Sequence, residues 1–226
     1  PTDMGVNRAG FAIIDDDVTR EAAEQEVIRR YYRYRCEYVM GFTDKETVQR
    51  VELFLKEFNI HPEDRCVVGP AWQAAREAQE QNQGNEGIYC GAAIELKDGT
   101  IITGNNSSLM HAASSLILHA IKALADIPGK IFLLPSYITD AVRNMKTDIL
   151  NETSVSLDLE ETLIALSISA TTNSAAQLAI EKLKDLRGCE VHITHIPTPG
   201  DEAGLRRLGV NLTSEPNFST KDLFLT

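Results

Sequence analysis

Gly91 to Leu124, GAAIELKDGTIITGNNSSLMHAASSLILHAIKAL, is the stretch that decides the fold. Two β-type runs, Ala92 to Leu96 and Thr100 to Thr103, flank a Lys97-Asp98-Gly99 turn, and that order predicts a hairpin. Asn105-Asn106-Ser107-Ser108 follows, a set of short polar side chains of the kind that cap helices. Apolar residues then recur at Met110, Ala113, Ile117, Ile121 and Leu124. The spacing predicts a helix fed directly by the hairpin. Free N–H groups at its start suit an anion.

Working outward, strands and helices alternate towards the carboxyl end. Lys130 to Leu134 reads as a short strand, then Tyr137 to Leu150, Asp158 to Ala170 and Ser174 to Arg187 as helices, the last opened by a Ser174 to Gln177 capping box and stopped by Gly188. Val191 to Ile196 is a strand, about Asp201 to Leu208 a short helix, and Val210 to Thr213 a last strand. This alternation predicts an α/β fold with a mainly parallel sheet covered by helices on both faces. Towards the amino end the pattern is helical. Asp17 caps a helix with contacts at Ala23, Val27, Tyr31, Tyr34 and Tyr38; Thr43 with Glu46 opens a second with Val48, Val51, Leu55 and Phe58; a third runs from Pro70 through Trp72 towards Glu80. The polar segment Gln81 to Gly87 is the best linker. Residues 1–80 are therefore expected to form a helical part and residues 88–226 a three-layer α/β subdomain.

The chain has 226 residues, 43% of them hydrophobic, enough to bury a sizeable core. A formal charge of -11 argues against general attraction to nucleic acid or to anionic lipid, and no run approaches the roughly 20 apolar residues of a membrane span. A cytoplasmic protein is expected. Cys36, Cys66, Cys90 and Cys189 lack metal-type spacing and read as reduced thiols. The opening Pro1-Thr2-Asp3-Met4 has no initiator methionine, which suggests a piece of a longer polypeptide.

Candidate chemistry gathers in two places. The first is the strand-to-helix loop Asn105, Asn106, Ser107 and Ser108 with His111 after it, since ligands of α/β sheets bind where strands end and helices begin. The second is VHITHIPTPGDEAGLRRLGV, which holds His192, His195, Asp201, Glu202, Arg206 and Arg207. Side chains alternate along a strand, so His192 and His195 face opposite ways, and His195, at the carboxyl end, is the functional candidate. The loop from His195 to Glu202 is expected to share a polar cleft with the Asn105 to Ser108 loop, provided that their strands are parallel neighbours. As loop residues, His195 and Asp201 are expected to be replaceable with little loss of stability. Arg29 to Arg35 alternates Arg with Tyr, but Glu26 before Arg30 and Glu37 after Arg33 make ordinary i,i+4 pairs of a solvated helix.

The hairpin and helix resemble the core of the cytidine deaminase fold, whose helix bears a His/Cys-Ala-Glu motif. His111-Ala112-Ala113 stands there with alanine in place of the proton-shuttling glutamate, and Leu134-Pro135-Ser136-Tyr137 retains a proline without thiolates. No metal and no cofactor are expected, since one imidazole does not hold a catalytic zinc. More specifically, PTDMGVNRAGFAIIDD, EVIRRYYRYRCE, HPEDRCVV and HITHIPTPGDEAGLRRLGVNLTSEPNF resemble the carboxyl-terminal half of an uncharacterised bacterial family, the domain of unknown function eighteen-forty-six. That resemblance implies an amino-terminal Rossmann-like domain with a glycine-rich segment, absent from this chain. Two function classes follow. In the first, the whole protein binds a nucleotide or phosphorylated small metabolite, with Thr2, Asp3, Asn7, Asn105, Ser107, His195 and Asp201 lining part of the site. In the second, a deaminase-type fold without its metal serves assembly or ligand sensing. The expected partners are a small anion or nucleotide-like ligand, the amino-terminal half of the same protein and further copies of the chain in a homo-oligomer.

Overall fold

The hairpin forms two residues either side of its turn: β1 (Gly91–Glu95) pairs antiparallel with β2 (Ile101–Asn105), Gly91 opposite Asn105 and Glu95 opposite Ile101. The structure, a computed structural model, describes residues 16–152 and 154–219. Among them β3 (Glu190–Ile193) and β4 (Asn211–Ser214) complete a sheet of order β2-β1-β3-β4. The pairing is mixed, which corrects the mainly parallel expectation: β3 runs antiparallel to β1, and only β3 and β4 are parallel. Because β1 opposes both of its neighbours, β2 and β3 point the same way, and their carboxyl ends share one edge.

Apolar residues on both faces of β1 require cover on both sides. Ala93 packs with Val67, Ala71 and Ile101 under α3 (Val68–Glu80), while Ala92 and Ile94 join the main core on the other face. That core takes Leu116, Ile117 and Ile121 from α4 (Ala112–Leu124), with α5 (Ser136–Asn144) following it in the chain. It also takes Leu159 and Leu166 from α6 (Leu159–Ser169), Ala176 and Ala179 from α7 (Ser174–Glu181), and Leu205 from α8 (Pro199–Leu208). Each fully buried Leu or Ile contributes roughly 1.5–3 kcal/mol. Two glycines set the spacing of the layers. A Cβ on Gly91 would lie 2.1 Å from Ala71 O, and one on Gly104 would lie 2.4 Å from Leu116 N, so α3 and α4 approach the strands as closely as backbone allows.

By compactness the chain divides into residues 1–65 and 66–226. The helix that begins at Val68 thus lies on the sheet, because its alanines Ala71, Ala74, Ala75 and Ala78 form a buried face narrow enough for close contact. In the first unit, Glu26 bonds Arg30 at 3.1 Å and Arg33 lies 3.8 Å from Glu37, the i,i+4 pairs expected. The buried residues of that helix, α1 (Asp16–Val39), are Ile28, Tyr32 and Cys36, not the anticipated Val27, Tyr31 and Tyr34, and Tyr38 is exposed. The next helix, α2 (Lys45–Glu57), is capped by Asp44, not Thr43.

Lys130 to Leu134 is a loop, not a strand. Side chains take the acceptors that a strand partner would have used: Lys122 donates to Gly129 O and Ile131 O, Asn173 to Phe132 O and Ser169 to Leu133 O. Asn173, not Ser174, caps α7, whose expected length is cut at Glu181 by a 3-10 turn over Lys182–Leu186. The Tyr137 to Leu150 helix is likewise shortened, passing into a π turn at Met145–Ile149. No helix among the described residues is long and apolar enough to cross a membrane.

Candidate functional site

Three helices begin at the sheet edge where β2 and β3 end. Thr198 caps α8 by accepting from Asp201 N, Asp158 caps α6 by accepting from Glu161 N at 2.9 Å, and His111 is the cap residue of α4. Backbone ties lock the last two starts together: His111 N donates to Leu157 O and Leu157 N to Leu109 O, both at 2.9 Å.

Asp201 sits between them. Its Oδ2 lies 2.7 Å from His111 Nδ1 and accepts from the Thr198 hydroxyl at 2.8 Å; its Oδ1 accepts from Leu159 N at 2.9 Å. Only 1% of its side chain is accessible, against 22% for His111. Burial raises the Asp201 carboxyl, but the bond and charge of His111, the Thr198 hydroxyl and the Leu159 N–H outweigh it and leave the group below its ordinary range. For His111 burial acts downwards, and the bond to Asp201 with the charges of Asp201 and Asp158 outweighs it, so the imidazole titrates above its ordinary value. The two shifts agree in direction, each group favouring the charged form of the other. A carboxylate only accepts, so Nδ1 carries the proton shared with it, and in the protonated ring Nε2–H is a second donor.

His195 is close enough for Asp201 and His111 to act on its titration, yet burial dominates and pushes it down to about 4, so it is neutral. Burial, and then the Asp201 charge, pushes the Cys90 thiol up to about 12, which makes it an inert neighbour. Behind the corner, Lys146 donates to Ser156 O at 3.0 Å and to Glu161 Oε2 at 2.9 Å, bracing the α6 cap.

The structure therefore brings together His111, His195 and Asp201 from the candidates read in the sequence. β2 and β3 are not neighbours, since β1 lies between them, but their shared direction puts both loops on one edge. The Asn105 to Ser108 loop does not cap the helix. Asn106 accepts from Cys90 N and donates to Ile88 O, and Ser107 Oγ accepts from Leu109 N and Met110 N, so these two fix the path of the loop that delivers His111. Asn105 donates to Asn106 O, Ser108 is exposed, and Glu202 is tied to Arg206 at 2.6 Å. Thr2, Asp3 and Asn7 lie outside the described residues. Asp201 is a helix residue with three buried contacts, which corrects the expectation that it is a dispensable loop residue. Asp158 and Thr198 went unnoticed as site residues, although Asp158-Leu159-Glu160-Glu161 is a legible capping box and Thr198-Pro199-Gly200-Asp201 a legible helix start. Among the described residues no three His, Cys, Asp or Glu side chains gather as a metal-holding group. Two surface concavities lie elsewhere, one along β2 and α4 at His119 and Lys122, the other at the hairpin turn beside Gly188.

A family model described as "Domain of unknown function DUF1846, C-terminal" matches residues 63–224, and its N-terminal counterpart matches residues 1–59. A "UPF0371 protein" of Clostridium botulinum strain Alaska E43 is 46% identical over 224 residues, which cover 99% of this chain and 44% of that protein. UPF0371 proteins of Clostridium tetani and of Clostridioides difficile strain 630 are each 44% identical over the same shares. The chain spans less than half the length of these relatives.

Proposed function

We propose, for a chain that belongs to the DUF1846 family, that the corner of His111, Asp201 and the first turns of α4, α6 and α8 binds the phosphate of a nucleotide or a phosphorylated small metabolite. The corner is one wall of a site shared with an amino-terminal Rossmann-like domain of the longer protein. Its rim carries Asn105, Ser108 and Glu202.

One observation carries this reading: the 2.7 Å contact of His111 Nδ1 with Asp201 Oδ2. The carboxylate fixes the ring and keeps it charged, so Nε2–H faces an incoming group as a cationic donor at a place where helix starts concentrate positive potential. Asp201 itself consumes the Leu159 N–H and the Thr198 hydroxyl. What remains for a ligand is a charge-assisted bond from His111, which suits a phosphate oxygen better than a neutral carbonyl.

The test is titration of adenosine monophosphate and of inorganic phosphate against the chain and His111→Ala. Loss of the charged donor is expected to weaken both by at least about tenfold. Equal affinity in the two proteins would remove the reading.

A further inference from the structure

The corner holds a second imidazole that the ion pair leaves unused. His195 has 7% of its surface accessible, its Nδ1 is buried without a hydrogen-bond partner, and no described group engages its other nitrogen. Buried polar side chains are overwhelmingly bonded, so an imidazole with neither nitrogen engaged is a group lacking its partner. It stands at the carboxyl end of β3, on the edge where His111 and Asp201 meet. The groups bearing on it are Asp201 from α8 and His111 from the start of α4. Asp158, at the α6 cap, and Lys146 act on His111 in turn, and Cys90, before β1, feels the Asp201 charge.

We infer that His195 is a second ligand for the phosphate that His111 holds, and that it joins the site by taking up a proton from solvent as the dianion binds. The inference rests on the phosphate reading of His111. Two imidazoles beside one carboxylate compete for its charge. His111 wins in the free chain because its Nδ1 lies on Asp201, while His195, deeper and unbonded, stays neutral. A dianion reverses that balance: its charge offsets the burial of His195, one of whose free nitrogens then donates to it. The proton comes from bulk water, no covalent bond changes, and the product is an imidazolium hydrogen-bonded to the anion.

Sulfate is the clean probe, since it is a tetrahedral dianion that carries no proton of its own near neutrality. Calorimetric titration of the chain with sulfate at pH 6, in two buffers of different ionisation enthalpy, counts the protons exchanged. Uptake of about one proton per sulfate is expected. His195→Gln keeps an amide near one ring nitrogen but cannot titrate; it is expected to bind about tenfold more weakly with no proton uptake. His195→Asn, with its amide near the other nitrogen, is expected to behave alike and serves if the first variant folds poorly. Binding that needs His111 but brings no proton and is unchanged in both variants overturns this inference alone. Sulfate binding indifferent to His111→Ala, or no binding at all, overturns the phosphate reading with it.

Discussion

His192, within β3, and His195, two residues beyond its end, are both buried, and their surroundings are opposite. His192, with 0% accessible, has Nδ1 2.9 Å from Thr213 Oγ1 and Nε2 3.4 Å from Glu215 Oε1, which also accepts from the indole of Trp72 at 3.1 Å. His195, on the other face, has no such company. The first is a histidine the fold uses to knit β3, β4 and α3; the second is one the fold leaves open. Burial alone does not separate a structural histidine from a functional one, and neither does an unbonded ring nitrogen, since Nε2 of His192 makes an ion-pair contact only. What differs is the bonded Nδ1 of His192 and the carboxylate that faces its other nitrogen.

The largest effect expected is at the centre of the second region. Asp201→Ala leaves the charged His111 and the Leu159 N–H without their acceptor, and removing one member of a buried pair costs about 3–5 kcal/mol. Chemical denaturation measures it; a loss below about 1 kcal/mol would mean that the carboxylate is not the tie between the three helix starts.

Next comes the comparison itself. His192→Leu removes the bond to Thr213 and the contact with Glu215 and is expected to cost about 1–3 kcal/mol, whereas His195→Leu removes unbonded nitrogens and is expected to be neutral or to stabilise by about 1 kcal/mol. Similar losses in both, read from denaturant midpoints, would erase the distinction drawn here.

A smaller effect follows pH. The His111 contribution is fully present below the histidine's ordinary 6.5 and fades as pH rises through its elevated folded value, so the stability gap between wild type and His111→Gln is expected to narrow above about pH 6.5. At the acid end the sign reverses: Asp201, depressed from 3.8, contributes above that value and loses its contribution as pH falls towards its folded one. A gap that widens as pH rises above about 6.5 would contradict the ion pair.

The smallest effect is expected from the exposed Gln81 to Gly87 segment, the proposed boundary between the helical and α/β parts. Limited proteolysis is expected to enter there first, and the nicked pieces to remain together in gel filtration because α3 packs on β1. First cuts elsewhere would count against that boundary.

Local chemistry was legible in the sequence and long-range pairing was not. The hairpin follows from its Asp98-Gly99 turn, α4 from its apolar spacing, and the Glu26–Arg30 pair from i,i+4 geometry, all of which act within a few residues. The antiparallel meeting of β1 with β3 has no local signature, so local patterning alone predicts a mainly parallel sheet. Lys130 to Leu134 has a strand's composition, yet its carbonyls are claimed by Lys122, Ser169 and Asn173, two of them some forty positions distant. Of the site, His195 and Asp201 could be nominated from their place after a strand, but their contact with His111, 90 positions away for Asp201, depends on the strand order.

The position of β1 also fixes when the fold can form. Gly91 N donates to Thr194 Oγ1 across 103 positions, so β1 acquires its second neighbour only after that length of chain exists. At the usual 5–20 residues per second of synthesis the wait is about 5–20 s. During it the hairpin is a fragment whose inner strand has one bare ladder of N–H and C=O groups, the form in which sheets recruit strands from other molecules. A polypeptide released before β3 would keep that ladder exposed indefinitely. Self-association through β1 is thus the characteristic hazard of interrupted translation for this molecule.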